Sequence, residues 1–201
     1  MTPVPATRIQ ELLEYVQILW KKKDTSTVSD FDLARLVSLI KSIGRVDPLA
    51  EISFTGTYFA IKGDIEASKR WHEKAIEEAP KNPYVHVNYA ASLEGFEEFD
   101  SAVEHGLKAV EYGGPSEKTL WNLLIVAYKA NRREILDAWL PQYKKLFGQS
   151  HIVEKWIQDE DEYFAGEEGD IDPDSCFLAS CISGKLKDWN NPDEEEAWRL
   201  S

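Results

Sequence analysis

Few residues in this chain could carry acid–base or metal chemistry near neutral pH. Histidine is the side chain whose ordinary pKa lies there, and the sequence has four: His72, His86, His105 and His151. A helical zinc or metallohydrolase site needs two histidines three or four residues apart, with a carboxylate beside them. No two of these four have that spacing. His72 and His105 instead fall at similar places in two successive blocks of the chain, where packing accounts for them. Cys176 and Cys181 are too few for a disulfide framework or a four-ligand metal site, and they read as free thiols of a reducing compartment. There is no Gly-Xaa-Ser-Xaa-Gly elbow and no glycine-rich phosphate loop, and Gly113-Gly114 reads as a turn between helices. Carboxylates are abundant, but Glu160 to Glu162 and Glu194 to Glu196 sit in polar runs. Burial that would raise a carboxyl pKa into a catalytic range is not expected there. The expectation is no catalytic site, no metal and no cofactor.

Charge points to a different kind of work. Residues 159–201 hold 14 acidic residues against Lys185, Lys187 and Arg199, a net of −11 out of −13 for the whole chain. A nearly neutral body thus carries an acidic tail. Nucleic acid is disfavoured as a partner, because phosphate binding needs a basic surface. A basic protein partner is favoured through steering and complementarity. No stretch approaches the roughly 20 apolar residues that span a bilayer. The start, MTPVPATRIQELLEYVQ, lacks a basic-then-apolar leader, so a cytoplasmic location is expected.

The elements that would position any binding residues are helices. Ile9, Leu12, Leu13, Val16, Leu19 and Trp20 recur at helical spacing from Ala6 to Lys22, and the following lysines suit a helix C-terminus. Asp30 can cap a second helix carrying Leu33, Leu36, Val37, Ile40 and Ile43, closed by Gly44. From there the punctuation is periodic. Asp47-Pro48, Asn82-Pro83 and Gly114-Pro115 each combine a cap or turn residue with a proline suited to the first helical position. The prolines lie 35 and 32 residues apart. Each block holds two helical patterns split by a polar turn: Lys62-Gly63-Asp64, then Gly95 to Glu98, then Ala130-Asn131-Arg132. A period near 34 with two helices per period is the signature of stacked helical hairpins.

Block 49–82 resembles a tetratricopeptide repeat, with Gly56 and Ala75 at small positions, Gly63-Asp64 at the turn and Pro80 at the exit. The second block keeps Ala90, Phe99, Ala102 and Ala109, and the third keeps Trp121, Leu124 and Tyr128 one residue later. Pro141 departs from the pattern and is expected to kink or split its helix. The resemblance implies an all-α, right-handed helical-hairpin solenoid with helical caps and an acidic C-terminal tail. On that basis 1–46 is an N-terminal cap and 47–148 about three hairpins. Residues 149–163, with Ile152, Val153, Trp156 and Ile157, are a capping helix, and 164–201 is a partner-binding tail. The resemblance also implies a groove lined by the first helix of each pair: Ser53, Thr57, Tyr84, Val87, Asn88, Ala91, Asn122, Val126 and Lys129. Members that clamp chaperone C-termini use lysine, arginine and asparagine. Asn88 falls at one clamp position, but Ser53 and Thr57 replace the first-repeat residues, so that specificity is not implied.

In the tail, Phe177, Leu178, Ile182 and Leu186 can form a short amphipathic stripe, followed by Trp189, then Asp193, Glu194, Glu195 and Glu196, then Trp198. With Ser180, Ser183 and Asn191, this stretch resembles the acidic C-terminal tails of small bacterial antitoxins. The resemblance implies a tethered segment that wraps a basic partner, with the two tryptophans as anchors. The DNA-binding domain that usually precedes such tails is not visible. Two functions are therefore expected from the sequence. One is an antitoxin- or immunity-type protein acting through the tail; the other is a chaperone or adaptor holding a client peptide in the groove.

Overall fold

The computed structural model describes residues 6–25 and 27–147. These form eight helices and no strand: α1 (Ala6–Thr25), α2 (Asp30–Gly44), α3 (Pro48–Lys62), α4 (Ile65–Glu78), α5 (Pro83–Glu94), α6 (Phe99–Gly113), α7 (Glu117–Lys129) and α8 (Arg133–Phe147). The fold is all-α among the described residues, and adjacent helices pack on one another from α1 to α3 and from α5 to α8, consistent with helical-hairpin repeats. The predicted capping helix 149–163 and the tail 164–201 lie outside the described residues.

The helix boundaries follow from local chemistry. Asp47 and Asn82 cap α3 and α5 through their side-chain oxygens, with Pro48 and Pro83 as first helical residues. Two expected starts differ. The cap of α2 is Ser29, whose hydroxyl accepts from the Asp32 N–H while Asp32 accepts from the Ser29 N–H. This reciprocal pair satisfies two helix-end donors, one more than a cap at Asp30 could, and Asp30 becomes the first helical residue. In the third block, Ser116 and Thr119 form the same kind of box. The helix therefore starts at Glu117, two residues beyond Pro115. Gly63 ends α3 in the left-handed region, φ 85°, where a side chain would be strained. In the next turn Gly95 is right-handed and Glu97 takes the positive φ.

Pro141 neither splits nor ends α8, which runs through it as one helix. Proline removes one N–H and leaves the carbonyl four residues earlier without its helical donor. Burial of Ile135, Leu136 and Tyr143 on either side holds the element together.

The chain divides into two compact units within α4, so that 6–71 and 72–147 each have a core. In the first, Leu12, Leu19, Leu36, Ile43, Phe54 and Ile61 are buried together from α1, α2 and α3. Ser68 on α4 is fully buried and donates its hydroxyl to the Gly56 carbonyl at 2.9 Å, so the small residue on α3 gives a polar contact as well as close approach. In the second, Leu93, Leu120, Leu123, Leu124, Leu136 and Tyr143 form the core between α5 and α8. Burying each such side chain contributes roughly 1.5–3 kcal/mol. Gly113 closes α6 directly against α5, since a Cβ there would sit 2.7 Å from the Pro83 ring.

Candidate functional site

Within the second unit, α5 and α7 present one half-exposed stripe each. On α5 this is Tyr84, Asn88 and Ala91, at spacings of four and three, while Val85, His86, Tyr89 and Leu93 are buried on the other sides. On α7 it is Lys118 and Asn122, with Lys129 exposed further along, while Leu120, Leu123, Leu124 and Ala127 are buried. These stripes are turned towards one another at matched heights. The Lys118 ammonium lies 4.9 Å from the centroid of the Tyr84 ring, a cation–π contact between residues 34 apart in sequence. At the other end, Lys129 forms an ion pair with Glu94. With both ends pinned, Asn88 and Asn122, also 34 residues apart, occupy corresponding positions between them.

Asn122 is the unusual member. Its Oδ1 is buried and has no hydrogen-bond partner among the described residues. An amide oxygen withdrawn from water without a donor costs about 1–3 kcal/mol, so a group that supplies an N–H there gains that amount.

Of the nine residues expected to line a groove, the structure leaves five accessible: Tyr84, Asn88, Ala91, Asn122 and Lys129. Val87 and Val126 are buried in the second unit, at 5% and 1% exposure, Val126 as part of the core that α5 to α8 share. Ser53 and Thr57 are buried in the first unit, at 2% and 5% exposure. None of these four side chains is open to a partner. The sequence reading missed Lys118 and Glu94. Their signal was present: Lys118 follows Tyr84, and Lys129 follows Glu94, by one repeat length. The expected tail residues, Phe177 to Trp198, lie outside the described residues.

No protein-family model matches the chain, and no curated protein sequence matches it. Among the described residues, no group of three or more histidine, cysteine, aspartate or glutamate side chains is placed to hold a metal ion, and no helix is long and apolar enough to cross a membrane.

His72 and His105, assigned to packing, come together with His86 on the side of α5 away from the stripe. His86 Nδ1 and His105 Nδ1 are 3.0 Å apart, and His86 Nε2 is 2.9 Å from the Pro80 carbonyl. His72, fully buried on α4, meets Ser92 Oγ through Nε2 at 2.8 Å and stacks on Tyr89 at 4.9 Å. Tyr89 in turn lies 4.5 Å from the His105 ring. Burial pushes His72 down to about 3, helped by nearby His105, and His105 down to about 4, helped by His86 and Lys108. Burial also lowers His86, against the opposing hydrogen bond to Pro80, and pushes the Tyr89 hydroxyl up to about 12. These are groups kept neutral at physiological pH.

Proposed function

We propose that the chain is a tetratricopeptide-type protein-binding module, not a catalyst, and that its α5/α7 face holds an extended segment of a protein partner. The unsatisfied Asn122 Oδ1 carries this reading. An extended peptide presents unpaired main-chain N–H groups, and one of them completes that acceptor. The Tyr84 ring with Lys118 at one end and the Lys129–Glu94 pair at the other give the face a polar, side-chain-selective border. The 34-residue offsets that match α5 to α7 support the tetratricopeptide assignment. They agree with the small residues Gly56, Ala75 and Ala109 at helix contacts.

A second reading rests on the charge distribution, with −11 of the net charge in residues 159–201. In it, the acidic tail with Trp189 and Trp198 wraps a basic partner in the manner of an antitoxin, and electrostatics sets the association rate.

One experiment separates them. A partner is captured from the native host with the intact chain, purified, and its affinity measured for three proteins: intact, truncated after residue 158, and Asn122→Leu. Binding through the α5/α7 face survives truncation and weakens on Asn122→Leu. Binding abolished by truncation and untouched by Asn122→Leu would overturn the first reading in favour of the second.

A further inference from the structure

The contact between His86 and His105 has a proton inventory that can be worked out from its partners. A carbonyl can only accept, so His86 Nε2, 2.9 Å from the Pro80 oxygen, is the protonated nitrogen of that ring. In the neutral ring Nδ1 is then bare and can only accept. His105 Nδ1, 3.0 Å away, must carry the hydrogen and donate it. The ring centroids are 5.3 Å apart and the planes only 25° from parallel, so the two nitrogens meet at the facing edges of the rings. The spacing is that of an ordinary N–H···N hydrogen bond.

We propose that the His86–His105 pair is an acid-sensing latch between α5 and α6, which takes up one proton with its contact intact and opens the hairpin when the second arrives. The first proton goes to His105 Nε2, because His105 is the half-exposed ring of the two and His86 is buried. His105 Nδ1 still donates to His86, and the hydrogen bond becomes charge-assisted. The second proton has only His86 Nδ1 to occupy. Two N–H groups then face each other across 3.0 Å, each on a positive ring, with no acceptor between them. The surroundings sharpen this. Lys108 on α6 disfavours charge on both rings, and Glu111 on α6 favours it only at His86. The cluster is closed by Tyr89 on α5, by Tyr112 on α6, whose ring centroid lies 5.4 Å from that of His86, and from α4 by the fully buried His72, whose Nδ1 has no partner among the described residues. Glu73 and Glu98 are felt by Tyr89. No carboxylate on these elements is hydrogen-bonded to either ring of the pair among the described residues, so relief comes from separating α5 and α6. This inference does not depend on what binds the α5/α7 face.

The test is side-chain nitrogen NMR of the full chain with 15N-labelled histidine, titrated downwards from about pH 7.5. The expected result is opposite tautomers at the start, His86 protonated on Nε2 and His105 on Nδ1. Ring protonation then proceeds in two steps, the second coinciding with loss of amide protection across α5 and α6. The same tautomer on both rings at the start would overturn the proposal. So would independent titration of both near the ordinary value of about 6.5 with amide protection unchanged. A His105→Asn variant gives a second readout. Its amide still offers His86 a donor but takes no proton. Unfolding of this variant should take up about one proton fewer than wild type, making the folding constant shallower by roughly tenfold per pH unit. A variant as steep as wild type would contradict the latch. If it does not fold, the wild-type tautomers decide the matter alone.

Discussion

At the helix position where α3 carries Phe54, α5 carries Asn88 and α7 carries Asn122, each one repeat length after the last. In the first unit this slot is apolar and shut. Phe54 and Ile61 belong to a core with α1 and α2, and Ala50 and Tyr58 are packed against it. In the second unit the slot is polar and half-open, bordered by a cation–π contact and an ion pair. The same helical geometry thus serves two ends. Where neighbouring helices cover the slot, an aromatic residue gains from burial; where they do not, the Asn122 acceptor is left without a donor among the described residues. The units differ also in what they titrate. Among the described residues the first has no histidine, whereas the second has three, all held neutral by burial.

The comparison breaks most visibly if the slots are exchanged. Phe54→Asn puts the second unit's residue into the first unit's core, leaving a cavity and an unpartnered amide. The expected loss is about 3–5 kcal/mol of folding stability, measured by urea unfolding. A loss below about 1 kcal/mol would mean that the Phe54 slot is not closed.

Acid should separate the units next. A histidine whose folded pKa is depressed favours folding fully above its unfolded value near 6.5, and that contribution is lost as pH falls through the folded value. For His105 and His72 this window runs down to about 4 and about 3. The second unit should therefore weaken between about pH 6.5 and 5, by up to roughly tenfold in its folding constant per pH unit for each such group. In the first unit the marked group is Asp32, held well below the carboxylate range by hydrogen bonds from Lys22 and Ser29. A depressed carboxylate stabilises above its ordinary value near 3.8 and loses that contribution only below it. Amide exchange at about pH 7.5 and about pH 5, corrected for intrinsic rates, should show protection falling in α5 to α7 but not in α1 to α3. Equal losses in both would remove the distinction.

A smaller effect is expected at the α5–α6 closure. Gly113→Ala drives a methyl group into the Pro83 ring, which is fixed at the start of α5 and cannot swing aside. Overpacking of this kind costs about 1–3 kcal/mol. It should also displace Tyr84 from Lys118, which a double-mutant cycle between those two residues would register as a lost coupling. An unchanged coupling would show that the face is not set by this closure.

Much of this was legible in the residues. The 34-residue punctuation announced the hairpins, and Asp47-Pro48 and Asn82-Pro83 fixed two helix starts to the residue. Capping was harder where two acceptors compete: Ser29 outranks Asp30 because of the reciprocal bond from Asp32, a three-residue relation that a single cap residue does not reveal. Pro141 misled because its cost is local while the burial of Ile135, Leu136 and Tyr143 is spread along the helix. For the site, helix register named the stripe of α5, yet it also admitted Val87 and Val126, which are buried. Exposure depends on which neighbour covers a face, and periodicity within one helix does not encode the neighbour. The histidine cluster was hidden for the same reason, since its members come from α4, α5 and α6.

The mildest change tests the functional side of the comparison most directly. Asn122→Leu replaces a residue whose Oδ1 is buried without a donor by an apolar side chain of similar size. Removing an unsatisfied acceptor ends its desolvation penalty, so stability should stay level or rise by up to about 1 kcal/mol. If Asn122 were merely a packing residue, nothing else would change. If it is kept polar for a partner's N–H, affinity should fall by roughly tenfold or more as stability holds, the pattern of a site that sacrifices stability for binding. Asn88→Leu is the control one repeat earlier: its amide has partners within the chain, so the same substitution there should destabilise the fold. A destabilised Asn122→Leu, or one that binds as well as wild type, would place Asn122 with Phe54 as part of the structure alone.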